Sequence, residues 1–390
     1  MKKYSLPHKI EKWIQAQLFE MNLSFESKEN LSQAIKKMSD FYVTQPQAET
    51  PWNESWCKVA QLVYYFPLNY LRNLRVAQEF FKHPVINQFF NENYNQSEVE
   101  INWLELGCGL GPSLEAFIEE LEKHFPFISV KKSLKVSFIE KSQWAFELTK
   151  KRLSEYYDLS VGETNLQSAS LNSKLKKDFL GFDIHKQTID NFSKNNSLTI
   201  AVLSYSLTEL DMLPNWIWNT DFILILEPST RDDGRNLMNL REKALNNNYL
   251  IIAPCTHQKA CPLLNESKKD WCHDRIHFDQ PDWFTQIEEK LPFKNSNLTL
   301  SYLILAHPRL KNQLSLKQTD STIRVVGDFL EEKGKTRQLI CRGPQREFLT
   351  FIKKNHEPTK FNRGDILTLK CEPEKKGEEL RPHPTDINIY

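Results

Sequence analysis

From Ile101 to Phe125 the chain reads INWLELGCGLGPSLEAFIEELEKHF. An apolar run closes on Glu105-Leu106, three glycines follow at alternate positions, and Phe117, Ile118, Leu121 and Phe125 then share one helical face. The pattern is a strand, a tight turn and a helix, and the missing Cβ of Gly107, Gly109 and Gly111 lets the backbone come close to a ligand. A strand that leaves directly into a helix cannot pair with its successor through a hairpin, so the chain is committed to a parallel sheet with crossover helices. The following segments keep to that plan. LKVSFIEKS is a second strand with a helix beginning near Ser142, LTIAVLSYSLTELD and DFILILEPST are two further buried strands, GRNLMNLREKALNN is a helix, and YLIIAPC and LTLSYLILAHPRL are strands again. The polar stretch from Tyr156 to Asn196 must hold at least one more element.

The flanks follow other patterns. Ile10, Trp13, Ile14 and Leu18, then Leu31, Ile35, Met38 and Phe41, recur at helical spacing, and the apolar run SWCKVAQLVYYFPLNYLRNLRVAQEFFKH carries Pro67, expected to kink or divide its helix. Beyond a boundary near Asn312, STIRVVGDFLEEKGKTRQLICRGPQREFLTFIKKN and FNRGDILTL alternate β-branched and charged residues, the mark of a small antiparallel β domain. The tail EPEKKGEELRPHPTDINIY is charged and proline-containing and is expected to be mobile. The expected organisation is a helical region over 1–98, a Rossmann-like domain over 99–311 with a cysteine-rich insertion at 255–297, and a β domain with its tail over 312–390. A length of 390 residues suits two or three domains. The net charge of +1 excludes a uniformly basic nucleic-acid coat, leaving only local patches. MKKYSLPHKIEKW has no apolar core of a secretory signal, and no run reaches the ~20 apolar residues of a membrane helix, so the expectation is a cytoplasmic chain with no membrane partner. Nothing in the sequence calls for an obligate oligomer.

Glu140 ends the second strand, where a carboxylate can hold ribose hydroxyls. Together with Glu105 and the single Gly-Cys-Gly turn, it resembles the S-adenosylmethionine site of class I methyltransferases more than the G-x-G-x-x-G dinucleotide fingerprint. The resemblance implies an α/β fold: a class I S-adenosylmethionine-dependent methyltransferase (Rossmann-like) core with an N-terminal helical region and a small C-terminal β domain. YLIIAPC and LTLSYLILAH would be its last two strands, the final one inserted antiparallel. Glu105, Gly107, Gly109, Gly111 and Glu140 would bind the cofactor, with Cys108 merely filling the turn. The acceptor side departs from the pattern. Transferases acting on base amino groups carry Asn/Asp-Pro-Pro-Tyr/Phe after the fourth strand, where this chain has Ser204-Tyr205-Ser206-Leu207. Pro254-Cys255 looks like a thiol nucleophile but follows the wrong strand, and no catalytic residue is assigned.

Three of the seven cysteines lie in CTHQKACPLLNESKKDWC, at spacings C-x5-C and C-x10-C that match neither a zinc ribbon nor a ferredoxin run. His257, His273, His277 and the distant Cys341 are candidates for a fourth ligand. The residues alone leave zinc, an iron–sulfur cluster and three unconnected thiols open, with zinc ahead of iron–sulfur. A wider resemblance narrows the choice. SYSLTEL, ILEPST, LIIAPCTHQKACPL, DWCH and SYLIL, in that order after LELGCGLG and with QLVYYFPLNYLRNLRVAQEF before it, resemble the methyltransferase-like family of mitochondrial small-ribosomal-subunit assembly proteins and its bacterial relatives, from Gln61 to Cys341. The resemblance implies a 4Fe-4S cluster on Cys255, Cys261, Cys272 and Cys341, and partnership with the rRNA and proteins of the small ribosomal subunit during assembly. Cys57 and Cys371 are left over. Departures are Ser229-Thr230-Arg231, where the family often has a glycine and a proline, and a DWCHDRIHFD segment short of the usual arginines. Lys333, Lys335, Arg337, Arg342, Arg346, Lys353 and Lys354 surround Cys341 as a patch for phosphates, or equally as a solvated charged hairpin. The expected function is an assembly factor that binds S-adenosylmethionine, with an active rRNA methyltransferase, or a methyltransferase with a structural zinc loop, as alternatives.

Overall fold

A computed structural model of the chain describes residues 3–45, 48–94, 99–162, 197–210, 213–314, 316, 321–354 and 357–389. Its larger sheet contains, in chain order, β1 (Lys3–Tyr4), β2 (Glu100–Leu106), β3 (Leu134–Ile139), β4 (Val161–Gly162), β5 (Ser197–Ser204), β6 (Phe222–Glu227), β7 (Leu250–Ala253), β8 (Asp274–Phe278) and β9 (Asn297–Ala306). The spatial order is β1-β8-β9-β6-β5-β2-β3-β4, with β7 also on β9. Strands β4, β3, β2, β5 and β6 are parallel neighbours, while β9 runs antiparallel to both β6 and β7. Order reverses beside β2, so the glycine turn leaves the sheet at its switch point. This is the class I methyltransferase arrangement, with its last strand inserted antiparallel. Every residue of β6 (FILILE) is buried, as a strand covered on both faces requires. Most of the polar stretch expected to hide an element lies outside the described residues; β4 is its described part.

The N-terminal helices share one core with this sheet: Ile10, Trp13, Leu31 and Ile35 belong to the same buried cluster as Trp103, Phe117 and Phe222. Pro67 does not break its helix. The segment runs as an α-helix over Ser55–Ala60, a π-turn over Gln61–Tyr65 and an α-helix over Phe66–Lys82. The Phe66 N–H reaches back five residues to the Gln61 carbonyl, and Pro67 sits in the first turn of the Phe66–Lys82 helix. A proline there has no N–H to leave unpaired, so the added residue absorbs it without a gap.

The second sheet contains β10 (Thr322–Val325), β11 (Leu330–Glu331), β12 (Lys335–Cys341), β13 (Glu347–Ile352), β14 (Ile366–Leu369), β15 (Glu374–Lys376), β16 (Glu379–Arg381) and β17 (Ile387–Ile389), in the order β15-β16-β13-β12-β10-β14-β17 with β11 on β12. It has its own core of Ile323, Val325, Ile340, Leu349, Phe351, Leu367 and Leu380. The tail expected to be mobile is built into it. Leu380 is fully buried there, and β17 pairs with β14 through three residue pairs. A third cluster, of Met238, Cys261, Leu263, Val326, Leu339, Cys341 and Phe348, closes the junction between the sheets.

Candidate functional site

The glycine turn is held from beneath. Gly107, Gly109 and Gly111 have φ of +66°, +51° and +68°, the left-handed region that favours glycine. A Cβ on Gly107 would lie 2.9 Å from the Ser206 Cβ, and one on Gly111 2.6 Å from Thr149 Cγ2. Gly109 differs, because its bare face meets only the Trp52 ring, at 3.7 Å. Glu105 is fully buried below the turn, where Trp103 Nε1 donates to one carboxylate oxygen at 2.9 Å and the Ser113 hydroxyl to the other. Burial pushes its acid up to about 7, against the pull of those two hydrogen bonds. It braces the strand-to-helix join from inside. Glu140 is half-buried at the end of β3, and its oxygens accept from Gly109 N–H at 2.7 Å and Ser142 N–H at 2.8 Å. Each oxygen keeps a further acceptor site for a hydroxyl. Burial raises this acid as well, while the backbone N–H donors lower it.

The loop before Ser55, which sequence reasoning did not assign to the site, lies across the turn. Trp52 packs on Gly109 with its ring centroid 5.9 Å from that of Trp144, Glu49 pairs with Lys141 at 2.7 Å, and the Thr50 hydroxyl faces Glu209 at 3.5 Å. On the acceptor side, Tyr205 takes φ +60° and its N–H bonds to the Leu226 carbonyl, while Ser204 Oγ meets Asn73 Nδ2 at 3.0 Å. Glu227 ends β6 only 1% exposed, accepting from Leu207 N–H at 2.9 Å, with burial pushing its acid up to about 8. The other Glu227 oxygen is buried and has no hydrogen-bond partner among the described residues.

The cysteines come together beyond the carboxyl end of β7. Cys255, Cys261, Cys272 and Cys341 line one cavity of about 40 Å³, along with Arg241, Arg324, Tyr302, Leu237 and Met238. Three come from the loop after β7 and the fourth ends β12. All are free thiols. Burial and the neighbouring thiols push Cys261 up to about 11 and raise Cys272 and Cys341 further, so without a cation these sulfurs keep their protons at neutral pH. Among the described residues, no three His, Cys, Asp or Glu side chains form a group that could hold one metal ion. A zinc ion, at about 2.3 Å from each sulfur, would need its thiolates roughly 4 Å apart.

The helix Arg231–Asn246 pins the cysteine loop. Arg235 donates to the carbonyls of Ser267 and Asp270 at 2.9 Å each, and Trp271 Nε1 donates to the Ser229 carbonyl at 2.8 Å. From the other sheet, the Arg346 N–H and guanidinium reach Glu266 at 3.2 Å and Asp270 at 3.3 Å. Arg324 is 1% exposed and is the cross-strand partner of Cys341. It donates to Glu79 at 2.8 Å, to Asp274 at 2.7 Å and to the Pro254 carbonyl at 3.1 Å. One guanidinium thus touches the residue before Cys255 and the second residue after Cys272.

Of the histidines, His257 stands beside Cys341, with Nε2 3.3 Å from Sγ. His273 stacks on Trp271 instead, and His277 pairs with Lys3 in the sheet; neither lines the cavity. The basic patch is largely neutralised. Lys335 pairs with Glu379, Arg337 with Glu332, Arg342 with Glu347, Arg346 with Asp270 and Lys353 with Glu331. The charged-hairpin alternative describes these five residues. Arg241 was legible in principle, since it falls on the apolar face set by Leu237, Met238 and Ala244. Arg324 was not, because its partners are distant in sequence.

No helix among the described residues is long and apolar enough to cross a membrane. Residues 109–364, more than half of the chain, match the family model described as mitochondrial small ribosomal subunit Rsm22. No curated protein sequence matches the chain. Among solved structures, a Pyrococcus horikoshii protein assigned as an RNA methyltransferase is similar at 9% identity and TM-score 0.29, over 60% of this chain and 84% of that one. TrmK of M. capricolum with S-adenosyl-homocysteine is similar at 11% and 0.26, over 56% and 66%. The plantazolicin methyltransferase BpumL with a substrate analogue and the same product is similar at 14% and 0.28, over 75% and 99%.

Proposed function

The chain belongs to the Rsm22 family of the mitochondrial small ribosomal subunit, and from that premise we propose that it is a small-subunit assembly factor that binds S-adenosylmethionine at the glycine turn and a 4Fe-4S cluster between its two sheets. The observation that carries this reading is the meeting of Cys255, Cys261, Cys272 and Cys341 in one cavity, although the fourth lies in another sheet. Four soft thiolates complete a cluster without a histidine. A cluster bound there would supply a covalent cross-link between the loop and β12, and one-electron chemistry.

At the turn, Glu140 would take the ribose hydroxyls, and Trp52, packed on Gly109, would wall the site beside them. Glu105, with both oxygens engaged, would hold the turn rather than touch the ligand. Burial of the acceptor side favours a binding role over methyl transfer: Ser204 is bonded to Asn73, and Glu227, 1% exposed, to Leu207. Contact with rRNA is part of the proposal, but it is not assigned to the paired cations around β12. The test is threefold. Calorimetry with S-adenosylmethionine should show stoichiometric binding, the protein should co-sediment with immature rather than mature small subunits, and labelled cofactor should leave the RNA unlabelled. Labelled rRNA would restore the enzyme; co-sedimentation with neither particle would remove the ribosomal role.

A further inference from the structure

His257 lies between two of the cysteines in sequence and is 3% exposed, yet it is not placed as a ligand. Its ring is fixed from both sides. The Lys259 backbone N–H donates to Nδ1 at 3.1 Å, which makes that nitrogen the acceptor and leaves the proton of the neutral ring on Nε2. Nε2 faces Cys341 Sγ at 3.3 Å. The backbone is fixed as well, because Arg241 donates to the His257 carbonyl at 3.0 Å, and the neighbouring Thr256 hydroxyl donates to the Cys341 carbonyl at 3.2 Å. A ring held this way presents an N–H to a sulfur, the opposite of what a metal-ligating nitrogen must present.

We propose that His257 is a positioning residue that donates Nε2–H to the Cys341 sulfur and raises the reduction potential of the group which that sulfur holds. The proposal rests on the cluster reading above. An N–H···S hydrogen bond stabilises the more negative, reduced state, so its loss lowers the potential.

The experiment uses full-length protein purified without oxygen, assayed for iron and acid-labile sulfide and titrated spectroelectrochemically. His257→Leu removes the donor. His257→Gln keeps an amide N–H near the position of Nε2. The expected result is iron and sulfide retained in both variants, with the leucine variant about tenfold harder to reduce, a fall of about 59 mV for one electron, and the glutamine variant close to the parent. Equal potentials in parent and leucine variant would overturn the inference while leaving the cluster in place. If the leucine variant loses its iron, the glutamine variant decides: a potential near the parent's supports the donor role, and a fall of about 59 mV overturns it. A parent protein containing zinc and no sulfide would overturn the cluster reading itself, and this inference with it.

Discussion

Replacing Arg324 with methionine should be the most damaging single change at the junction of the two sheets. Its guanidinium belongs to a buried group of two cations and two carboxylates: Arg324 binds Glu79 and Asp274, and Arg75 binds the same two at 2.6 and 3.1 Å. All four side chains are 6% exposed or less. With Arg324 gone, Glu79 and Asp274 must share Arg75, and one buried negative charge is left over. Breaking a buried pair in this way costs about 3–5 kcal/mol, and the lost bond to the Pro254 carbonyl adds about 1 kcal/mol. The pH dependence gives the cause a signature. Burial pushes the Glu79 acid up, but Arg324 and Arg75 outweigh it and hold it well below the usual carboxylate range. In the parent, that stabilisation is fully present above pH 4.5 and is lost only as pH falls towards the depressed value. In Arg324→Met the excess buried carboxylate has one cation fewer to hold it ionised, which raises its pKa, so the variant takes up a proton more readily as pH falls from about 7.5 to 5 and the gap between the two proteins narrows. Urea unfolding followed by tryptophan fluorescence, at pH 7.5 and pH 5 without oxygen, measures both quantities. Adding Glu79→Gln to Arg324→Met should restore neutrality and cost less than the sum of the single changes. A loss below about 1 kcal/mol at pH 7.5, or a loss independent of pH, would refute the reasoning.

Other outcomes concern the two sites. Gly107→Val, forced into φ +66° with its Cβ against Ser206, should abolish S-adenosylmethionine binding in calorimetry while the far-ultraviolet dichroism keeps its shape. Trp52→Ala, which uncovers Gly109, should weaken cofactor binding about tenfold, or about 1.4 kcal/mol, and unchanged affinity would remove Trp52 from the site. Cys341→Ser should purify with little iron or sulfide; full retention of both would exclude it as a ligand. For Glu105 the folded-state acid is raised from 4.5 to about 7, so the parent loses stability as pH rises across that window. Glu105→Gln should therefore gain up to about 3 kcal/mol relative to the parent between pH 4.5 and 7 and no more above it. A difference that does not change with pH would place the acid elsewhere.

Much of the sheet could be read from the chain because its signals are local. LELGCGLG had to be strand, turn and helix, since three left-handed positions so close together admit little but glycine. Ser142 could be foreseen as the start of a helix, and its side chain does accept the Ala145 N–H at 3.2 Å. The charged tail misled, because alternation in short strands such as Glu379–Arg381 is too brief to register, and its burial depends on pairing with β13, which is distant in sequence. The basic patch was left open between phosphate binding and a charged hairpin for a related reason: its carboxylate partners come from β11, β13, β16 and the cysteine loop.

The sequence by itself determined the parallel core and the glycine turn, since backbone sterics and hydrophobic period are properties of neighbouring residues, whereas the set of four thiols came only from the family resemblance. Only the tertiary structure decided that Cys341 meets the other three, that Arg324 and Arg75 close a neutral group beside them, and that His257 turns an N–H rather than a lone pair towards sulfur. Those are contacts across the junction of two sheets, where burial makes each charge and each hydrogen bond depend on partners that no local spacing records.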